Sequence, residues 1–250
     1  GEAGLGVPYD AQDVIYDDMF KKLNHAIGIL TANAGKTVFG DFDLIYKGDV
    51  NKWKKFANTL RLRLAVRISG VDGARAKTEG EAAAASGTLT TSPGDDALIF
   101  RTKKGDDFNG LAIMDWNEFR MSATMESVLK GYQDPRMPIY FLPAVTTGNY
   151  EGLRNGLTSA DMAAPLNKAD ANSHHGARWS STTALETPSN VMATAEADFL
   201  KAEGTLLGWN MGGTAKSLYE SGIAASMNQW GITDATAIAA YTGSSNVPVA

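Results

Sequence analysis

The chain has 250 residues, 44% of them hydrophobic, with 23 basic and 28 acidic side chains and a formal net charge of -5. That is enough apolar material for a full core, in one large domain or two small ones, and it excludes a disordered chain. The acidic balance argues against a polyanion binder, so no nucleic-acid partner is expected, and zero cysteines exclude disulfides, zinc-thiolate sites and thiol catalysis.

Residues 1–10 carry three glycines and a proline and read as a loop. DVIYDDMFKKLNHAIGILTA then places Ile15, Met19, Leu23, Ala26 and Leu30 at helical spacing. The AGKT at Ala34–Thr37 resembles half of a phosphate-binding loop. The glycine that motif requires would fall at Leu30, and a helix precedes it instead of a strand, so the match fails.

DVNKWKKFANTLRLRLAVRISG, residues 49–70, predicts the strongest helix. Trp53, Ala57, Leu60, Leu64 and Ile68 form one stripe bordered by Phe56, while Leu62 and Val66 lie opposite, so the helix is expected to be an inner one. Asp49 is the expected N-cap and Gly70 the stop. Its arginines flank the apolar stripe, and buried guanidinium needs carboxylate partners.

VDGARAKTEGEAAAASG predicts a shorter alanine-rich helix, and ALIF a short strand. From Met114 to Lys130 the pattern Trp116, Phe119, Ala123, Glu126, Lys130 is helical but irregular, with Gly131 as its end. Residues 143–190 have no sustained period, and a connection that long inside a compact protein is usually functional or disordered. Helical order returns at Val191, with Ser189 or Asn190 as cap and Met192, Ala195, Phe199, Ala202 and Leu206 in steps of three and four. Glu196 and Glu203 lie two turns apart on one side and are the expected partners of Arg63 and Arg67. A further helix carries Ala215, Leu218, Tyr219, Gly222, Ile223 and Ser226, where small residues permit close approach; a weak last helix runs from Thr233 through Tyr241.

The fold class is therefore mainly α: tetratricopeptide-like helical hairpins (scaffold 11–70 and 191–241) with an irregular, loop-rich part (87–190), which the family resemblance given below implies to be ligand-presenting, and no clean 34-residue repeat. No run approaches the roughly 18 apolar residues of a membrane span.

Three stretches resemble the SusD/RagB family of Bacteroidetes surface lipoproteins, in its second large branch: Asp43–Ser69 with the helix just described, the DPR segment YQDPRMPIYFLP (Tyr132–Pro143), and Val191–Ile232. Thr194 stands where the family usually has tyrosine or serine before the Ala-Glu pair. The chain is expected to be part of a single SusD-like domain over 1–250, a fragment lacking both termini, with the lipidated cysteine absent and the membrane reached only through that missing anchor. The resemblance implies a non-catalytic protein on the outer face of the outer membrane. It would capture oligosaccharides, or peptides in RagB-like members, for a SusC-like TonB-dependent transporter, with no cofactor.

Sugar capture needs flat apolar faces for pyranose C–H groups and planar polar groups for hydroxyls. Aromatics in polar loops are the candidates: Phe108 and Asn109 in KKGDDFNG; Tyr150, Arg154 and Asn155 in GNYEGLRNG; His175, Arg178 and Trp179 in SHHGARWSS. Such rings also serve as packing anchors. The His174–His175 pair is not expected to hold metal, because neighbours in an extended chain face apart and no third histidine is near. Asp106, Asp107 and Glu118 could be proposed as an acid–base pair for glycoside hydrolysis, but no nucleophile elbow, HExxH or complete phosphate loop accompanies them, and no enzyme is expected. Asp134-Pro135-Arg136 reads as a rigid turn with a charge pair. The alternative function is a helical-repeat adaptor binding another protein.

Overall fold

The computed structural model describes residues 9–90, 94–100, 117, 119–179, 187–245 and 247. It forms two compact units, one of residues 1–97 and 192–222, the other of 98–191 and 223–250. Phe108, Asn109, Asp106, Asp107 and Glu118 lie outside the described residues.

The first unit is built on helices α1 (Gln12–Ala32), α2 (Val50–Ile68), α3 (Gly73–Ser86) and α6 (Thr194–Leu206), with α2 packed mainly on α3, then on α1 and α6. The helices between, α4 (Ala123–Gly131) and α5 (Met137–Tyr140), belong to the second unit; α7 (Ala215–Gln229) and α8 (Ala235–Thr242) follow α6. Short connections between α2 and α3 and between α6 and α7 give the helical hairpins expected of a tetratricopeptide-like fold. The only regular sheet among the described residues is β1 (Ala97–Ile99) paired with β2 (Ser189–Met192).

Asp49 caps α2 as expected, accepting from the amides of Asn51 and Lys52. The helix is buried on more than one side, but its deepest line differs from the predicted stripe: Leu62 and Ala65 are fully enclosed with Asn58 and Thr59, while Trp53, Leu60 and Leu64 are half-buried. The chain that follows α3 supplies a partner to each of the polar pair, while Asn58 Oδ1 has none among the described residues. Asn58 donates to Gly87 O at 3.0 Å, and Thr59 Oγ1 accepts from Leu89 N at 3.0 Å. A polar residue that bonds backbone can sit in a core, and a purely apolar pattern overlooks it.

On α1 the predicted stripe is one residue out. Ile15 and Met19 are exposed, and Phe20 and Ile27 are buried with Tyr16, Leu23 and Leu30 half-buried. Both readings share Leu23 and Leu30, and since α1 is apolar around much of its circumference, periodicity alone does not choose the face. Phe20 is fixed under the Arg75 guanidinium of α3, 4.8 Å from its ring centre.

The ion pairs correct a second expectation. Arg63 does meet Glu196, donating through Nε and Nη2 to both carboxylate oxygens, but the pair is half-buried, not buried. Arg67 and Glu203 are exposed and unpaired among the described residues, each lying on the outer side of its helix between buried neighbours, Val66 and Ile68 on α2 and Ala202 and Gly204 on α6. Arg61 takes the more deeply buried partner, Glu79 of α3, at 2.6 Å.

The start of α6 is also later than predicted. Residues 189–192 are used in β2, so neither Ser189 nor Asn190 caps the helix; Ala193 occupies that place, and Thr194 N donates to Asp96 at 2.6 Å. Phe199 and Leu206 are exposed, while Ala195, Asp198 and Ala202 are buried. Gly222 of α7 lies where an added Cβ would come within 2.6 Å of the Phe199 ring, which is the close approach expected there.

The chain between α1 and α2 closes on Asp43, whose carboxylate accepts from Ile45 N, Tyr46 N, Gly48 N and Trp53 Nε1. Gly48 has φ +81 and leaves no room for a Cβ, which would stand 2.0 Å from Val38 O.

Candidate functional site

In the second unit three loops are knit by backbone bonds. Met121 N donates to Ser173 O, Leu153 N to Met121 O, and Ser173 N to Glu151 O, and Met121 and Ser173 are buried at this junction. The helical pattern predicted from Met114 survives only from Ala123, since Ser122 caps α4 by accepting from Met125 N and the described residues before it are extended or irregular. Of the stretch 143–190 expected to be irregular, residues 143–179 are so, relieved by short 3-10 turns at Asp161–Ala163, Pro165–Asn167, Ala169–Ala171 and Ala177–Trp179, whereas 189–190 belong to β2.

The DPR turn holds one wall. Asp134 accepts from Arg136 through both its backbone amide and its guanidinium, and Arg136 Nη1 donates to Ser226 Oγ of α7 at 2.7 Å. That hydrogen bond from Asp134 holds the already high pKa of Arg136 higher still. The chain then runs through α5 to Phe141, which forms an antiparallel bridge with His175. The flanking bonds, Leu142 N to His174 O and Gly176 N to Tyr140 O, make Phe141 and His175 a non-hydrogen-bonded pair, whose side chains stand close on one face. Gly176 permits the approach: a Cβ there would meet Ile139 O at 2.1 Å.

The result is a cavity of about 260 Å³ lined by Phe119, Arg120, Phe141, His175 and Trp179. Behind it, Trp230 at the end of α7 stacks edge-on to Tyr140 with centroids 4.6 Å apart and lies 6.4 Å from Trp179. The Arg178 guanidinium sits 4.6 Å from the Trp230 ring centre and 5.8 Å from that of Trp179. Arg120 is anchored by four bonds to uncharged acceptors: Ala169 O, Asn117 O, Phe119 O and Asn117 Oδ1. The two histidine rings do not face apart as a regular strand would require. Their centroids are 3.7 Å apart, because a single bridge does not enforce the pleat. Burial, the His174 ring and the Arg120 charge push His175 down to about 4, so at neutral pH it is an uncharged imidazole.

Of the residues named from sequence, the cavity gathers Trp179 and His175, with Arg178 beside them. Tyr150 is half-buried, Arg154 and Asn155 are exposed on the 153–156 turn, and none of the three lines the cavity. Phe119, Arg120, Phe141, Tyr140 and Trp230 were not foreseen. Tyr140 and Phe141 lie within the Tyr132–Pro143 segment, in which only Asp134-Pro135-Arg136 was singled out, and Phe119 was placed in a helical pattern. For Tyr140, Phe141 and Trp230 the available signal was an aromatic within a few residues of a turn that no predicted helical stripe uses.

No carboxylate lines the cavity among the described residues. No cluster of three metal-ligating side chains occurs among the described residues, and no helix there is long and apolar enough to cross a membrane.

Helical hairpins in the first unit and an aromatic-walled cavity on irregular loops in the second define a mainly helical protein with a tetratricopeptide-like fold. The chain belongs to the SusD-like family, described as Susd and RagB outer membrane lipoprotein, which it matches over residues 1–249. Solved structures agree, with 36 matching chains. A chitin-binding SusD homolog from Flavobacterium johnsoniae is 38% identical with TM-score 0.80, the match covering 96% of this chain and 48% of that one. A SusD-like protein from Bacteroides thetaiotaomicron is 37% identical (TM-score 0.77; 95% and 48% covered), and a SusD homolog from Bacteroides uniformis 32% identical (TM-score 0.81; 96% and 48%). The chain thus spans about half the length of these relatives. Among curated proteins none matches.

Proposed function

We propose that the protein is a non-catalytic cell-surface glycan-binding protein, that both units belong to one SusD-like domain, and that it delivers oligosaccharide to a SusC-like TonB-dependent transporter while held to the outer membrane by a lipid anchor. The observation that carries the reading is the cavity in which Phe119, Phe141 and Trp179 offer flat apolar faces beside the polar groups of Arg120 and His175. Rings of that kind pack against the C–H face of a pyranose, and a few fixed polar groups orient it. The chitin-binding description of the Flavobacterium johnsoniae relative supports a carbohydrate ligand. Binding on a glycan array tests the capture role, and a complete absence of glycan binding contradicts it. Recovery of a barrel protein with the full-length protein from native membranes tests the delivery role; isolation without one contradicts it.

A second reading, a protein-binding adaptor, draws on a different observation. The first unit carries an apolar groove of about 640 Å³ lined in part by Ile29, Val38, Phe39, Phe42 and Trp53, with Phe42 91% exposed. Phe42→Ser separates the readings: it leaves glycan binding intact under capture and abolishes partner recovery under the adaptor reading.

A further inference from the structure

We infer that the cavity selects an oligosaccharide bearing a carboxylate over a neutral one, with Arg120 as the specificity-determining residue. This rests on the capture reading above and adds the charge class of the sugar.

The cavity wall holds one permanent cation and no carboxylate among its described residues. An arginine has five N–H donors, and those of Arg120 that are bonded go to the neutral oxygens of Ala169, Asn117 and Phe119. These bonds fix the guanidinium in place without neutralising it. The acid nearest in effect is Asp170, which acts on Arg120 through space and without a hydrogen bond between the two. A second guanidinium, Arg178, is held over the Trp179 and Trp230 rings. Tyr140, beside Trp230, is kept protonated because burial raises it.

Two groups already report the positive field of Arg120. His174 and His175 are each pushed down by burial and by the Arg120 charge, and His175 also by its neighbour. An apolar-walled site lowers the local dielectric, which strengthens the attraction between a fixed cation and an incoming anion. A uronate entering the cavity would therefore gain from Arg120 what a neutral sugar cannot. It would also offset the positive field on the histidines and raise their pKa. By linkage, affinity for the acidic sugar strengthens, with proton uptake, as pH falls through the raised values toward the free ones, about 4 for His175, whereas a neutral sugar shows neither.

Titration calorimetry of the protein with trigalacturonate and with chitotriose, at 50 and 500 mM NaCl and at pH 7 and 5, tests this. The expected result at low salt is an affinity for trigalacturonate about tenfold higher, a preference that shrinks several-fold at high salt and grows at pH 5. In R120Q the ratio of the two affinities should fall to about one; in R120K, which keeps the charge but cannot reproduce the planar set of bonds, most of it should persist. The salt and pH series needs no variant, so a folding defect in R120Q does not remove the test. Equal affinity for both sugars, or tighter binding of chitotriose, overturns the charge inference and leaves glycan capture standing. Binding of neither sugar, with none on a wider glycan array, overturns the capture reading itself.

Discussion

Replacing Glu79 with Ala leaves the Arg61 guanidinium in the α1–α2–α3 junction without its carboxylate. The two side chains are 14% and 13% exposed and meet at 2.6 Å, and Asn24 of α1 also donates to the same carboxylate at 3.4 Å. Breaking a buried ion pair from one side costs about 3 to 5 kcal/mol, and the residual exposure here places the loss at or just below that range, about 2 to 3 kcal/mol. Arg63 and Glu196 form the better-aligned pair on paper, with two bonds instead of one, yet they are 32% and 37% exposed. Solvent screening reduces that pair to about 1 kcal/mol or less. The ordering therefore follows burial, not the number of bonds. For a chain of this size about 1 kcal/mol corresponds to roughly 2 to 4 °C, so Glu79→Ala should lower the melting temperature by about 4 to 12 °C, and Glu196→Ala by no more than about 4 °C. Calorimetric melts of both variants and of the double variant Arg61→Met/Glu79→Leu, which removes both charges, make the comparison. The double variant should recover most of the loss. A Glu196→Ala loss equal to or larger than that of Glu79→Ala would refute the ordering.

Gly80 faces the Trp209 ring so closely that an added Cβ would lie 2.6 Å from it, so Gly80→Ala should cost about 1 to 3 kcal/mol despite its better helix propensity; a stabilised variant in a thermal melt would contradict the packing. Burial alone would raise the Asp43 carboxyl, but bonds from Trp53, Gly48, Ile45 and Tyr46 bring it below the usual carboxylate range. Its contribution is then present above the unfolded value of about 3.9 and is lost as pH falls through the lower folded value. Asp95 is lowered in the same sense, burial being outweighed by Lys55 and Thr90. Melting temperature should accordingly fall on acidification below about pH 4, less steeply in Asp43→Asn; an unchanged slope in that variant would remove Asp43 from the explanation.

Much of the frame was legible because helices announce themselves twice, in period and in caps. Asp49 and Ser122 show the capping half of that statement, although Ser122 was not read as a cap. The period is weaker evidence of direction. On α1 the shift from Ile15 and Met19 to Phe20 and Ile27 is a rotation of one residue, and only contact with α2 and α3 settles it. Glu196 was found from spacing alone, whereas Glu79 was missed because an alanine-rich helix with scattered acids gives no sign of which one turns inward. At the site, Trp179 and His175 could be picked out as ring-bearing residues in a polar loop. Phe119 and Phe141 could not, since their place depends on a bridge between residues 141 and 175 and on loop contacts far apart in sequence. Tyr150 satisfied the same compositional rule as Trp179 and yet stands apart from the cavity, which shows how little loop composition says about where a ring points.

The central claim is that the aromatic-walled cavity is where sugar binds, and the direct measurement is glycan affinity together with melting temperature in Trp179→Ala, Phe141→Ala and Tyr150→Ala. Loss of a stacking platform should weaken binding by about 1 to 3 kcal/mol in Trp179→Ala and Phe141→Ala, by analogy with base stacking on aromatic side chains, with little change in Tyr150→Ala. Melting temperature should change little in Trp179→Ala, whose ring is half-buried. Unchanged glycan affinity in both cavity variants, accompanied by a large drop in melting temperature, would make these rings packing anchors and contradict the account.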